Sequence, residues 1–103
     1  MPVSTNIQQN EAASRFEIHV DDELAGFADY ERRGDVWEIP YTRVFDHFGG
    51  RGLGHELVVA TLTSIAEQGG QVLPTCPFVP RVIADHPEFI DLVPEDRRAR
   101  YGF

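Results

Sequence analysis

The stretch Gly49-Gly50-Arg51-Gly52-Leu53-Gly54-His55-Glu56-Leu57 constrains this chain more than any other, placing four glycines in six residues and then running straight into an apolar segment. Glycines this dense disfavour both helix and strand, because each costs extra backbone entropy to order. The same residues reach φ > 0 and let a ligand approach the main chain closely. A helix starting behind them offers unpaired N–H groups and the positive end of a dipole, which together suit a phosphate. Two readings stand at this point, an anion cradle or plain punctuation between elements, since Gly-Gly is a common loop signal. A Walker loop is disfavoured, because His55 and Glu56 follow the last glycine where Lys and then Ser or Thr would be needed. A Rossmann fingerprint would sit behind the first strand of the chain. Here the turn lies near the middle, behind three strand-like segments.

Residues 1 to about 12 are polar with an early proline, the composition of a disordered tail, so the folded domain is placed at 13–103. From Arg15 to Val20 the pattern alternates, with Phe16, Ile18 and Val20 on one side, and predicts a half-buried strand. Asp21-Asp22-Glu23 is an acidic turn, and Leu24, Gly26, Ala28 and Tyr30 resume a period of two to complete a hairpin. Val36 to Val44 is a third strand with Trp37, Ile39 and Tyr41 in alternation. Pro40 interrupts it, which requires either a bulge or a position on a sheet edge, because proline has no N–H for a ladder. Leu53 to Gln68 predicts a helix with an apolar face of Leu57, Val58, Ala60, Thr61, Leu62 and Ile65, ended at Gly69-Gly70 by a left-handed cap. Gln71-Val72-Leu73 is a short buried strand, set parallel to the third by a right-handed crossover. Pro74 and Pro77 bracket Cys76, and a second helix runs from about Val79 to Asp85, with Pro87 stopping it. Phe89, Ile90, Leu92 and Val93 suggest a short helical turn before an arginine-rich tail. The sum is an α+β fold, a mixed sheet of four or five strands with two or three helices.

A single cysteine excludes an internal disulfide and a zinc site built from several cysteines, and no metal is expected. A formal net charge of −8 argues against a nucleic-acid partner, which needs a basic face, and favours cationic partners through long-range attraction. No apolar run reaches the roughly 18 residues of a transmembrane helix, and the amino terminus lacks the parts of a signal peptide. The expectation is a cytoplasmic protein, monomer or weak homodimer, that binds neither membrane nor nucleic acid.

The glycine turn, Gln71-Val72-Leu73-Pro74-Thr75-Cys76-Pro77-Phe78-Val79, and then Asp85-His86-Pro87-Glu88-Phe89 and Asp91-Leu92-Val93 resemble the small YjdJ-type branch of the GNAT superfamily of N-acetyltransferases. The resemblance spans about residues 13 to 95. It implies a fold that binds acetyl-coenzyme A, with pantetheine between two splayed parallel strands and the diphosphate on the turn before the long helix. Gly52 and Gly54 match the last two glycines of the superfamily's Gln/Arg-x-x-Gly-x-Gly/Ala turn, while its first position falls on Gly49. The resemblance therefore assigns cofactor contacts to Gly49, Gly50, Arg51, Gly52, Leu53, Gly54 and the backbone of His55. Thr42-Arg43-Val44 stands where the branch has Thr-Glu-Val, with Tyr41 in place of its usual histidine, and the backbone of this strand would pair with pantetheine. Cys76, Pro77 and Phe78 complete the expected contacts.

Acetyl transfer from a thioester to an amine needs a neutral amine, donors for the developing oxyanion and a proton for the departing thiolate. Cys76 is the catalytic candidate, as acid to the leaving thiolate or, ionised, as nucleophile through an acetyl-cysteine. The alternative is a buried structural thiol. The resemblance makes Glu38, on the third strand near where larger superfamily members keep a glutamate base, the candidate base, set against the commoner exposed strand carboxylate. His86 is expected to orient the loop after the second helix, and His19 and His47 to be solvated. The acceptor is expected to be an amine on a small molecule or a protein, cationic in keeping with the acidic chain. The competing class is a non-catalytic coenzyme A binder or interaction module.

Overall fold

A computed structural model describes residues 4–103. The strands are β1 (Thr5–Asn10), β2 (Arg15–Val20), β3 (Glu23–Arg33), β4 (Val36–Val44) and β5 (Gln71–Leu73), and the α-helices are α1 (Leu53–Glu67) and α2 (Phe78–Asp85). Short 3-10 helices cover Asp46–Phe48, Pro87–Leu92 and Glu95–Tyr101. The sheet runs in the order β1-β2-β3-β4-β5. Its first four strands are antiparallel neighbours, and β5 joins β4 in parallel through the α1 crossover, as expected.

The tail reading fails for Thr5–Asn10, which forms a full edge strand paired from Thr5↔Val20 to Asn10↔Arg15. An edge strand needs backbone pairing more than apolar content. Its one large apolar side chain, Ile7, lies opposite Ile18 and packs against the core. Polar side chains add contacts, with Gln9 Nε2 donating to the Tyr30 hydroxyl at 3.1 Å and Asn10 Nδ2 to Glu17 Oε2 at 3.0 Å. Glu11 and Ala12 lie in the turn to β2. Met1 to Val3 of the expected tail lie outside the described residues.

Two irregularities reset the faces. Asp29 pairs with Tyr41 and Glu31 with Glu38, so Ile39 and Pro40 together oppose Tyr30. This is a bulge, and it settles the two readings of Pro40, because β4 is an interior strand and the bulge is where a missing N–H is tolerated. One extra residue reverses the phase beyond it. Tyr41 is therefore turned off the core, 48% exposed, although it alternates with Trp37 and Ile39 in the sequence. A second shift, between Ile18 and His19, places Ala25 in the core beside Gly26 and leaves Leu24 only half-buried.

One core fills one side of the sheet. Phe16, Ile18, Trp37, Ile39 and Val72 from the strands meet Leu57, Val58, Leu62 and Ile65 from α1 and Val79, Val82 and Ile83 from α2. Each such side chain contributes about 1.5–3 kcal/mol when fully buried. Leu24, Phe27 and Tyr41 lie outside this cluster, on the opposite face. At the far end of α1, Gly69 takes φ +73° and donates its N–H to Ala66 O, while Gly70 N–H reaches Ile65 O at 2.9 Å. That paired capping satisfies the last carbonyls of the helix and sets Gly70 flat against the Trp37 indole, leaving no room for a Cβ.

Candidate functional site

The glycine turn is built on an apolar anchor. Phe48 closes the Asp46–Phe48 turn and is 5% exposed, and Leu53, the first residue of α1, is equally buried. Between these anchors Gly50 and Gly52 hold φ of +78° and +71°. A Cβ at either position would touch nothing within 4 Å. Glycine is required there by backbone conformation and not by space. Gly52 is the N-cap of α1 and no side chain caps the helix, so its first N–H groups have neither intrahelical nor side-chain acceptors. This fits the anion reading. Arg51 carries its guanidinium over the Phe48 ring, 5.7 Å from the centroid. Gly54 brings the start of α1 against Val44 and Phe78, where an added Cβ would stand 3.4 Å from both side chains.

Beside this turn the two parallel strands part. β5 pairs with Val36–Glu38 and ends, and Cys76 N–H then donates to Ile39 O at 2.8 Å, at the bulge. Beyond that bond, Tyr41–Val44 has β3 on one side and, among the described residues, no strand on the other. A cavity of about 320 Å³ opens along this free edge, lined by Thr42, Arg43, Val44 and Phe78. Cys76 lies 7% exposed beside it, with Sγ 3.3 Å from Thr42 Oγ1. The bulge is what turns Thr42 and Val44 toward the side of the sheet that carries α1. Pro77 is the N-cap of α2, and the Cys76 carbonyl accepts the Val79 N–H at 3.0 Å. The cysteine is thus held by backbone bonds on both sides.

Thr42, Val44, Gly54, Cys76 and Phe78 therefore gather around one slot, with the glycine turn at its end. Other expected residues point elsewhere. The Arg43 guanidinium lies over Phe45 at 5.1 Å from the ring centroid, so only its main chain is well placed for a slot ligand. Glu38 faces away from the core, where Thr75 Oγ1 donates to its Oε2 at 2.7 Å. Through Thr75 it is connected to Cys76 by one residue of chain. Spacing could not reveal that contact, which depends on where β5 stops. The His55 ring turns to His86, Nε2 to Nε2 at 2.9 Å. At the end of α2 the His86 main-chain N–H bonds to Val82 O and its carbonyl accepts from Phe89 N–H. His47 is exposed as expected. His19 is not solvated as expected: its side chain is 22% exposed, 3.6 Å from Glu17 Oε1, with a buried Nδ1 that has no partner.

Glu17 anchors the polar cluster on that opposite face. The Arg15 guanidinium, bonded at 2.7 Å, holds its carboxyl below the usual carboxylate range, helped by Asn10 and opposed by burial. A hollow of about 640 Å³ lies between Ala13-Ser14 and the Asp29–Arg33 end of β3 and includes none of the expected cofactor residues.

A sequence model of the GCN5-related N-acetyltransferases matches residues 15–92, every element from β2 through the Pro87–Leu92 turn. The chain belongs to the GCN5-related N-acetyltransferase family. Among solved structures, a GCN5-like protein from Staphylococcus aureus superposes with a TM-score of 0.64 at 22% identity, covering 86% of this chain and 87% of that one. A GNAT-family protein from Desulfovibrio desulfuricans gives 0.53 at 14% identity, with 87% and 82% covered. An N-acetylglutamate synthase from Neisseria gonorrhoeae, in complex with coenzyme A and N-acetylglutamate, gives 0.52 at 20% identity. In that case 88% of this chain corresponds to only 23% of the synthase. At these identities the structural likeness establishes the acetyltransferase fold. No curated protein matches the chain.

Proposed function

We propose that this family member is an acetyl-CoA-dependent N-acetyltransferase of the small YjdJ-type branch, acting in the cytoplasm on a cationic amine, with residues 13–103 as its acetyl-CoA-binding domain. The observation that carries this reading is the parting of β4 and β5 at Cys76, directly beside an uncapped, glycine-lined helix start. In this reading the free main chain of Tyr41–Val44 pairs with pantetheine. The N–H groups from Gly50 to His55 take the diphosphate, with no side chain needed at position 49. When bound, acetyl-CoA supplies the activated acetyl group. The chain's part is to hold it and manage protons: the Cys76 thiol gives a proton to the departing thiolate, oriented by the Thr42 hydroxyl, and Glu38, held by Thr75, accepts one from the incoming amine.

The test is thiol release across a panel of amines. Turnover is expected to keep pace with amine acetylation, and Cys76→Ala is expected to lower kcat/KM by about 10²-fold, the low end for a proton-transfer group. An added acetyl group in the intact mass of wild type but not of Cys76→Ala, without amine, would assign the nucleophile role instead.

A second reading, a non-catalytic coenzyme A binder, is favoured by one observation. The strands β1 to β4 follow one another through short turns, so no helix between them covers the face that bears Phe27 and Tyr41. Binding of acetyl-CoA without turnover on any amine would decide for it.

A further inference from the structure

The His55–His86 pair belongs to a second cavity, of about 450 Å³, that shares only Gly52 and His55 with the cofactor assignments above. Its walls are Ile7 of β1, Val59 and Ala60 of α1, the two histidines, Glu56, and Gly52 of the glycine turn. Gly52 is the decisive neighbour, because it makes this cavity continuous with the proposed diphosphate site. We infer that the two histidines receive the 3′-phosphate of coenzyme A, and that closing on it takes up a proton. The inference rests on the coenzyme A reading above.

The rings meet Nε2 to Nε2 at 2.9 Å, with their planes inclined by 54°. Such a bond needs one nitrogen to donate and the other to accept, so the facing Nε2 atoms hold one proton between them. An arriving phosphate changes that count. An oxygen placed between the rings accepts an N–H from each, replacing the bond they make to each other. The ring that had been the acceptor already holds a proton on Nδ1. Where that proton is kept, as by Glu88 3.7 Å from His86 Nδ1, the ring's new Nε2–H comes from solvent and makes that one ring an imidazolium. Imidazole is suited to this because its charge change falls within the physiological pH range. The bond from that imidazolium to an anionic oxygen is the stronger charge-assisted kind, while the other ring donates as a neutral imidazole.

The placement favours the terminal phosphate over the diphosphate. Main-chain N–H groups at Gly52 and Gly54 already serve the diphosphate, whereas the paired rings open on the cavity beyond it. The charged neighbours are few. Glu56 is exposed and its Oε1 accepts the Thr5 hydroxyl at 3.2 Å. Glu88 follows α2, with Oε1 3.7 Å from His86 Nδ1 and a side chain 68% exposed. Both carboxylates oppose an anion, but from solvent-screened positions. The wall residues from β1 and the middle of α1 are uncharged.

Titration calorimetry with coenzyme A and with dephospho-coenzyme A, at pH 6 and pH 8 and in two buffers of different ionisation enthalpy, separates the possibilities. The expected result is about tenfold tighter binding of coenzyme A at pH 6, the gain from one charge-assisted contact. That preference should fall several-fold at pH 8, with close to one proton taken up per 3′-phosphate bound. His86→Gln should remove the preference while leaving dephospho-coenzyme A affinity near wild type. The wild-type comparison stands even if a variant folds poorly. Equal affinity for the two ligands, or a preference with no proton uptake, overturns the inference and leaves the coenzyme A reading intact. Binding of neither ligand overturns both.

Discussion

Glu17 shows how local chemistry can be tested without reference to any ligand. Its carboxylate is nearly buried on the open face of the sheet and depends on Arg15 and Asn10. Because its folded pKa lies below its unfolded value, it contributes stability above the unfolded pKa and loses it as pH falls through the folded one. Denaturant titrations of wild type between pH 6 and pH 3 should therefore show a loss that Glu17→Gln largely lacks. Parallel curves for the two proteins would contradict the assignment. Arg15→Ala should cost about 1–3 kcal/mol at pH 7, since it leaves a buried carboxylate short of its main partner. At this scale the sequence was legible where backbone conformation dictates residue type, as at Gly52. It was not legible where side chains meet across the fold. Nothing in spacing pairs Thr75 with Glu38 or His55 with His86.

Elements with a clear hydrophobic period were readable, and those held by backbone pairing alone were not. The long helix, its glycine stop and the parallel strand after it follow from the sequence because apolar residues recur at the right spacing and the crossover rule leaves one arrangement. Thr5–Asn10 escaped because one isoleucine among polar residues gives no period. Deleting residues 1–10 should expose the edge of β2, lower the melting temperature by several degrees and promote association through that edge. An unchanged melting temperature would mean that β1 adds nothing to the fold. The phase of β4 was also hidden, because Pro40 announces a disturbance but not the extra residue that turns Tyr41 outward. At the end of α1, Gly70→Ala would place a Cβ 2.6 Å from Trp37 Nε1. The expected cost is about 1–3 kcal/mol from overpacking, measured by thermal unfolding; a neutral result would show that the indole can yield.

The whole molecule measures 45 × 28 × 20 Å, the thickness of one sheet layer and one helix layer of about 10 Å each. Among the described residues no helix is long and apolar enough to cross a membrane. A net charge of −8 spread over so small a body should draw in cationic acceptors. Raising ionic strength from about 0.05 M to 0.5 M shortens the reach of that attraction to less than half. It should lower kcat/KM for a polyamine severalfold and leave an uncharged arylamine nearly unaffected, and equal responses would remove charge from the account of specificity. The central claim is that acetyl-CoA lies along the free edge of β4 with its diphosphate on the glycine turn. Backbone amide NMR during a titration with acetyl-CoA tests it residue by residue. The account predicts saturable shifts concentrated at Tyr41–Val44, Gly49–His55 and Cys76, whereas shifts confined to other surfaces, or none at millimolar ligand, would contradict it.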